Sequence, residues 1–183
     1  MTSHHSYNVR LLPYTEINGI RTLRDSDIVA LYEKIISDGM KDVVFSDGEI
    51  ANAFDFLTAM KYGNNKLFVV LADEEWAGVL WLNRFKSKTA HAHFCGFSSF
   101  WGKNTVDIGK KAINEVLHMK NGDNNEYLFD TLLGLIPVAN IVAIKWVKKI
   151  GFIEVGVIPN GLWNEPMKHS EDGMLLCLTR GKS

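Results

Sequence analysis

The residues from Tyr127 to Pro159 constrain the fold more than any other stretch, because strand, helix and strand are separated there by local stop signals. Leu128 to Ile136 is a mostly apolar run of strand length, interrupted by Asp130 and Thr131, and Pro137 removes a backbone donor and ends it. Asn140 is a competent N-cap, and Ile141, Ile144, Val147 and Ile150 then recur at the three-residue spacing that keeps an apolar stripe on one helical face. Lys145, Lys148 and Lys149 lie off that stripe and toward the last turn, where cations suit the helix dipole. Gly151 supplies the left-handed residue that stops the helix, Phe152 folds back as the hydrophobic contact of that cap, and a strand from Phe152 to Ile158 follows.

Earlier in the chain the same signals give a first strand over Tyr7 to Leu12, closed by Pro13. Asp25 is read as the cap of a helix with the stripe Ile28, Leu31, Tyr32, Ile35 and Ile36, ended by Gly39. Ser46 with Glu49 reads as a capping box for a second helix through Ile50, Ala53, Phe54, Leu57 and Met60 to about Tyr62. The period then becomes strand-like: LFVVLAD from Leu67, a charged turn at Asp73-Glu74-Glu75, WAGVLWLNRF from Trp76, and TAHAHFCGF from Thr89 to Phe97. In that last strand His91, His93 and Cys95 share one face. A helix with Ile108, Ala112, Ile113, Val116 and Leu117 on one face follows, and a polar loop from Asn160 to Gly173 precedes a last strand, Met174 to Thr179.

With 183 residues, 46% hydrophobic and 22% charged, the chain is sized for one domain with a sizeable core. A net charge of −1 and a pI near 6.6 give no basic field for nucleic acid. Cys95 and Cys177 both sit in apolar runs, which points to free thiols in a reducing compartment, and no metal-ligand spacing is present. The N-terminus lacks the apolar core of a signal peptide and no apolar run is long enough to span a bilayer, so a cytoplasmic protein without a membrane segment is expected.

The unit around Asn140, Ala143, Lys149, Gly151 and Phe152, with Gly156 in the next strand, resembles the C-terminal half of the GNAT acyltransferase superfamily. The family commonly has an Asn at this helix start and a Lys-x-Gly-Phe ending. The resemblance extends over roughly Tyr7 to Arg180 and implies an α/β (α+β) fold with a mixed, mainly antiparallel sheet flanked by helices. It implies transfer of an acyl group, acetyl by preference, from acyl-CoA to a primary amine by direct attack. Acetyl-CoA is then the co-substrate and an amine acceptor the partner. In such proteins the strand matching Thr89 to Phe97 faces the acyl donor and leads into a Gly-rich turn whose backbone N–H groups hold the pyrophosphate at a helix N-terminus. Here that region is Phe97, Ser98, Ser99, Trp101, Gly102, Lys103, Asn104, Thr105 and Val106, with Asn140 as a further contact. Trp-Gly-Lys is present, whereas Asn104 and Val106 replace small residues of the motif. Asn104 tolerates left-handed backbone; the branched Val106 is expected to crowd a phosphate. Lys103, Lys110 and Lys111 are candidates for added positive charge.

His91 and His93 are the candidate bases for the amine proton, the alternative being solvent-facing or hydrogen-bonded strand histidines. The tyrosine that many relatives use as general acid falls on Val147, and Tyr127 is one candidate substitute. Asn140 is explained equally well by capping alone. The resemblance also places Lys41 to Asp47 and the Asn160 to Gly173 loop at the acceptor site. Trp163, Glu165, His169, Glu171 and Asp172 give that loop a character suited to a cationic amine, to plain surface exposure or to a homodimer contact. A domain of this fold that binds a ligand or assembles without turnover is the alternative function.

Overall fold

The computed structural model describes residues 6–102 and 104–181. Strand β1 (Val9–Pro13) is followed by a small hairpin of β2 (Glu16–Ile17) and β3 (Ile20–Arg21). Helices α1 (Asp25–Ser37), α2 (Lys41–Val44) and α3 (Ala53–Tyr62) come next. Strands β4 (Lys66–Ala72), β5 (Glu75–Lys86) and β6 (Thr89–Gly96) then run antiparallel to one another. Helix α4 (Asn104–Leu117), strand β7 (Thr131–Pro137) and helix α5 (Ile141–Ile150) lead to a hairpin of β8 (Ile153–Asn164) and β9 (His169–Thr179). The main sheet has seven strands in the order β1-β4-β5-β6-β7-β9-β8, antiparallel except where β6 meets β7. It is the mixed, mainly antiparallel sheet flanked by helices that the sequence implied.

Local chemistry accounts for most boundaries. The Asn140 side chain accepts the Ala143 N–H at 3.1 Å to start α5, and Gly151, at φ 120°, ends it. The Phe152 N–H then donates to the Val147 carbonyl at 3.1 Å, the wrap-back bond of a glycine-terminated helix. Three expectations need correction. The N-cap of α1 is Arg24, whose N–H donates to Asp27 at 2.8 Å, so Asp25 is the first helical residue. Helix α3 starts at Ala53 with Asn52 as its cap, accepting from Phe54 and Asp55, and not at the Ser46 to Glu49 box. The polar stretch from Asn160 to Gly173 is mostly strand, because β8 and β9 pair out to Asn164 and His169.

The sheet separates two cores. On one side α4 places Ile108, Ala112, Ile113, Val116 and Leu117 against Phe68, Val70, Leu80, Leu82, Leu132 and Leu176, with Trp146 of α5 packed against them. On the other side Ile28, Leu31, Tyr32 and Ile35 of α1 meet Phe56 and Met60 of α3 over Val69, Val79, Trp81, Cys95 and Phe97. Phe56 is fully buried, and truncating such a side chain costs about 3–5 kcal/mol. Strand β8 is the outer edge of the sheet, with Ile153, Val155 and Val157 exposed, and its register shifts, with Pro159, interrupt the free edge. Among the described residues no helix is long and apolar enough to cross a membrane.

Candidate active site

The feature that organises the site is a gap in the sheet. Strands β6 and β7 pair in parallel only from Thr89–Thr131 to His91–Leu133, although β6 continues to Gly96 and β7 to Pro137. Beyond His91 the two strands diverge, and the facing backbone edges of His93 to Gly96 and Leu135 to Pro137 bound a wedge. An extended amide-bearing ligand can enter such a wedge and take up strand-like hydrogen bonds. The divergence follows from what each strand does next: β6 stays registered on β5 as far as Gly78–Gly96, while β7 stays registered on β9 as far as Pro137–Gly173.

His91, His93 and Cys95 do share one face, the side of α1 and α3, opposite Asn83, Trp81 and Val79 of β5. His93 stacks on Trp81 with ring centroids 5.0 Å apart and planes 3° off parallel, and its Nε2 lies 3.0 Å from Asn83 Oδ1. With Asn83 presenting its carbonyl oxygen, Nε2 carries the proton and Nδ1 holds the lone pair. Burial, then the neighbouring His91 and Arg84, lower the pKa of His93 to about 4. Burial and Arg84 also lower that of the half-buried His91. Taking a proton from an ordinary alkylammonium near pKa 10 onto a base near 4 costs about 8 kcal/mol. His93 is therefore the weaker candidate base, and it is held as a neutral, oriented ring. Cys95 is a poor nucleophile near neutral pH, because burial raises its pKa to about 12.

The turn after β6 leads straight to the N-terminus of α4. Phe97 is fully buried and Ser98–Phe100 form a 3-10 turn. Ser98 donates both its N–H and its hydroxyl to Asp38, at 2.8 and 2.6 Å, so neither is left for a ligand. Ser99 and Trp101 are exposed, and the Trp101 indole donates to the Gly96 carbonyl at 2.8 Å. Gly102, at φ 101°, takes the left-handed position. Lys103 lies outside the described residues. Asn104 is already helical, with its amide on the Tyr7 hydroxyl at 3.2 Å, and Thr105 closes the turn on the Gly102 carbonyl at 2.8 Å. The Val106 side chain packs against the first core, so it does not block the mouth of the helix. The first-turn N–H groups of α4 lack helical acceptors, an arrangement that can receive an anion. Of the other candidate cations, Lys111 is committed to Ser6, the Tyr7 carbonyl and Asp107, while Lys110 is exposed.

The candidate acid Tyr127 lies away from the wedge, and Val147, at the position of the usual tyrosine, offers no proton. Tyr127 packs on His118 and over Arg180. His118 follows the C-terminus of α4, a helix about 20 Å long, so Tyr127 cannot act at the wedge. Val147 packs against the first core. The carboxylates of the β8–β9 hairpin are partly engaged within it: Glu165 by Trp163 and Lys168, Glu171 by Asn164, and Asp172 by the Asn160 N–H. The hairpin tip reaches the segment before α3, where the Glu165 N–H donates to the Ser46 carbonyl at 2.7 Å. Asn83 and Trp81, the partners of His93, carried no sequence signal beyond strand periodicity.

No family model matches the sequence, and no curated protein matches it. Solved structures do. An acetyltransferase from Salmonella typhimurium that modifies the N-terminal serine of a 50S ribosomal subunit protein superposes with a TM-score of 0.68 at 13% identity, over 96% of each chain. The spermidine N-acetyltransferase of Vibrio cholerae, solved with CoA and spermine, gives 0.65 at 13% identity over 95% of each chain. A microcin C7 self-immunity acetyltransferase, solved with acetyl-CoA and AMP, gives 0.61 at 16% identity over 85% of this chain and 87% of that one. The architecture is that of the GNAT acetyltransferases.

Proposed function

Because the chain carries the fold of the GNAT acetyltransferases, we propose that it moves an acetyl group from acetyl-CoA to a primary amine. The observation that carries this reading is the wedge between β6 and β7 opening beside the N-terminus of α4. The pyrophosphate sits on the first-turn amides of α4, with Gly102, Asn104, Thr105 and Val106 lending backbone and Trp101 flanking. The pantetheine arm enters the wedge, and the thioester carbonyl meets backbone donors already fixed in the sheet, so little reorganisation is needed as charge develops. Solved structures of this fold with CoA or acetyl-CoA support the choice of donor.

The amine attacks the carbonyl carbon from the face that bears His91 and His93; a C–N bond forms and the C–S bond breaks. The amine proton passes to His91 or through an ordered water, with His93 holding the local polarity. Val147 supplies no acid, so the thiolate leaves unaided, which is feasible because a thiol of pKa about 8.5 is a competent leaving group near neutral pH. The absence of a hydroxyl at Val147 also favours a second reading, a domain that binds the donor without turnover. Free-thiol release from acetyl-CoA with a panel of primary amines decides between them: amine-dependent release that falls in His91→Ala supports transfer, and no release with any amine supports the binding module.

A further inference from the structure

Asp38 is a carboxylate in an electrostatically unfavourable place. It caps the C-terminal end of α1, where the helix dipole disfavours an anion, and its side chain is only 5% exposed. Helix stability does not account for it, but its partners do. Asp38 accepts the Ser98 N–H at 2.8 Å and the Ser98 hydroxyl at 2.6 Å, and Lys34, one helical turn back, donates to it at 2.5 Å. Lys34 also approaches the Ser98 hydroxyl at 3.4 Å and lies 5.6 Å from the centre of the Phe97 ring. Burial by itself would raise the pKa of Asp38; the bonds from Lys34 and Ser98 outweigh that and hold it below the usual carboxylate value.

Resting on the donor-binding reading above, we propose that the Lys34–Asp38 pair is a positioning device that fixes Ser98 and so aims the turn from Phe97 to Gly102 and the α4 N-terminus at the pyrophosphate of the acyl donor. The geometry explains why one residue is tied at both its amide and its hydroxyl. Ser98 opens the 3-10 turn that redirects the chain from β6 into α4, and a rotation there would swing every backbone donor beyond it. Helix α1 is anchored by Ile28, Leu31 and Ile35 in the second core, so the clamp ties the turn to a rigid element.

The test is a double-mutant cycle on Asp38→Ala and Ser98→Ala, read by calorimetric titration with acetyl-CoA and by the 19F resonance of Trp101 in 5-fluorotryptophan-labelled protein. Asp38→Ala is expected to weaken binding about tenfold, and the double variant no more than about twofold further, because the two residues act as one unit. Asp38→Asn, which keeps the shape and one acceptor, falls between wild type and Asp38→Ala. Asp130→Asn, which loosens the Arg180 pair elsewhere on the fold, leaves binding unchanged. Binding equal to wild type in Asp38→Ala, or effects that multiply, overturns the proposal. If the wild type itself binds no acetyl-CoA, the donor reading fails, and the clamp is judged by Trp101 alone: its resonance moves in Asp38→Ala if the clamp sets the turn, and an unmoved resonance overturns it.

Discussion

Acidification is expected to destabilise the protein through His93. The pKa of His93 is about 4 in the folded chain against 6.5 for the free side chain, so between those values the unfolded state binds more protons. Stability from this group is therefore complete above 6.5 and is lost as pH falls toward 4. Linkage gives a loss of about 2 kcal/mol by pH 5 and about 3 kcal/mol by pH 4. The structural cause is the ring's burial against Trp81, which a charged imidazole cannot share at the same cost. His91 shifts in the same direction, so the assay must isolate His93. Denaturant unfolding of wild type and His93→Asn from pH 7 to pH 4 does so, because the other groups cancel in the difference. The wild-type advantage should shrink steadily across this range. A difference independent of pH would show that His93 is not held neutral by its surroundings and would reopen its candidacy as a base.

Two substitutions probe the frame of the site. At Gly109 an added Cβ would lie 2.5 Å from Trp146 Cζ2 and 3.1 Å from Ile150 Cγ2. Gly109→Ala should therefore lose about 1–3 kcal/mol in thermal unfolding despite the better helix propensity of Ala, and a stabilised variant would contradict the tight α4–α5 contact. Asn140→Ala removes the cap of α5 and should cost about 1 kcal/mol, while Asn140→Asp restores stability. Equal donor affinity in Asn140→Asp and wild type would mark capping as the residue's whole role.

The parts of the fold legible in the sequence are those whose signals are local. Asn140, the stripe of Ile141, Ile144, Val147 and Ile150, Gly151 and Phe152 specify α5 and its caps locally; the structure reproduces the caps and buries Ile144 and Ile150, whereas Ile141 is 50% exposed. The failures have a common physical origin in partners distant along the chain. Ser46 heads a capping-box pattern, yet the cap that α3 uses is Asn52. The Ser46 carbonyl instead takes the Glu165 N–H, a bond no local reading contains. Asn160 to Gly173 reads as loop because an exposed hairpin tolerates polar side chains, while its strand character comes from β8–β9 pairing. The candidate site divides in the same way. The turn after β6 is legible from Trp101 and Gly102, but the wedge exists only through the registers of β6 on β5 and β7 on β9. Ser98 reads from sequence as a donor contact, but Asp38, 60 residues away, takes both of its polar groups.

The most direct test of the account is calorimetric titration of the wild-type protein with acetyl-CoA at moderate ionic strength. Binding in the micromolar range, about 8 kcal/mol, is predicted if the wedge and the α4 N-terminus together form a donor site. No heat of binding at millimolar acetyl-CoA would contradict it.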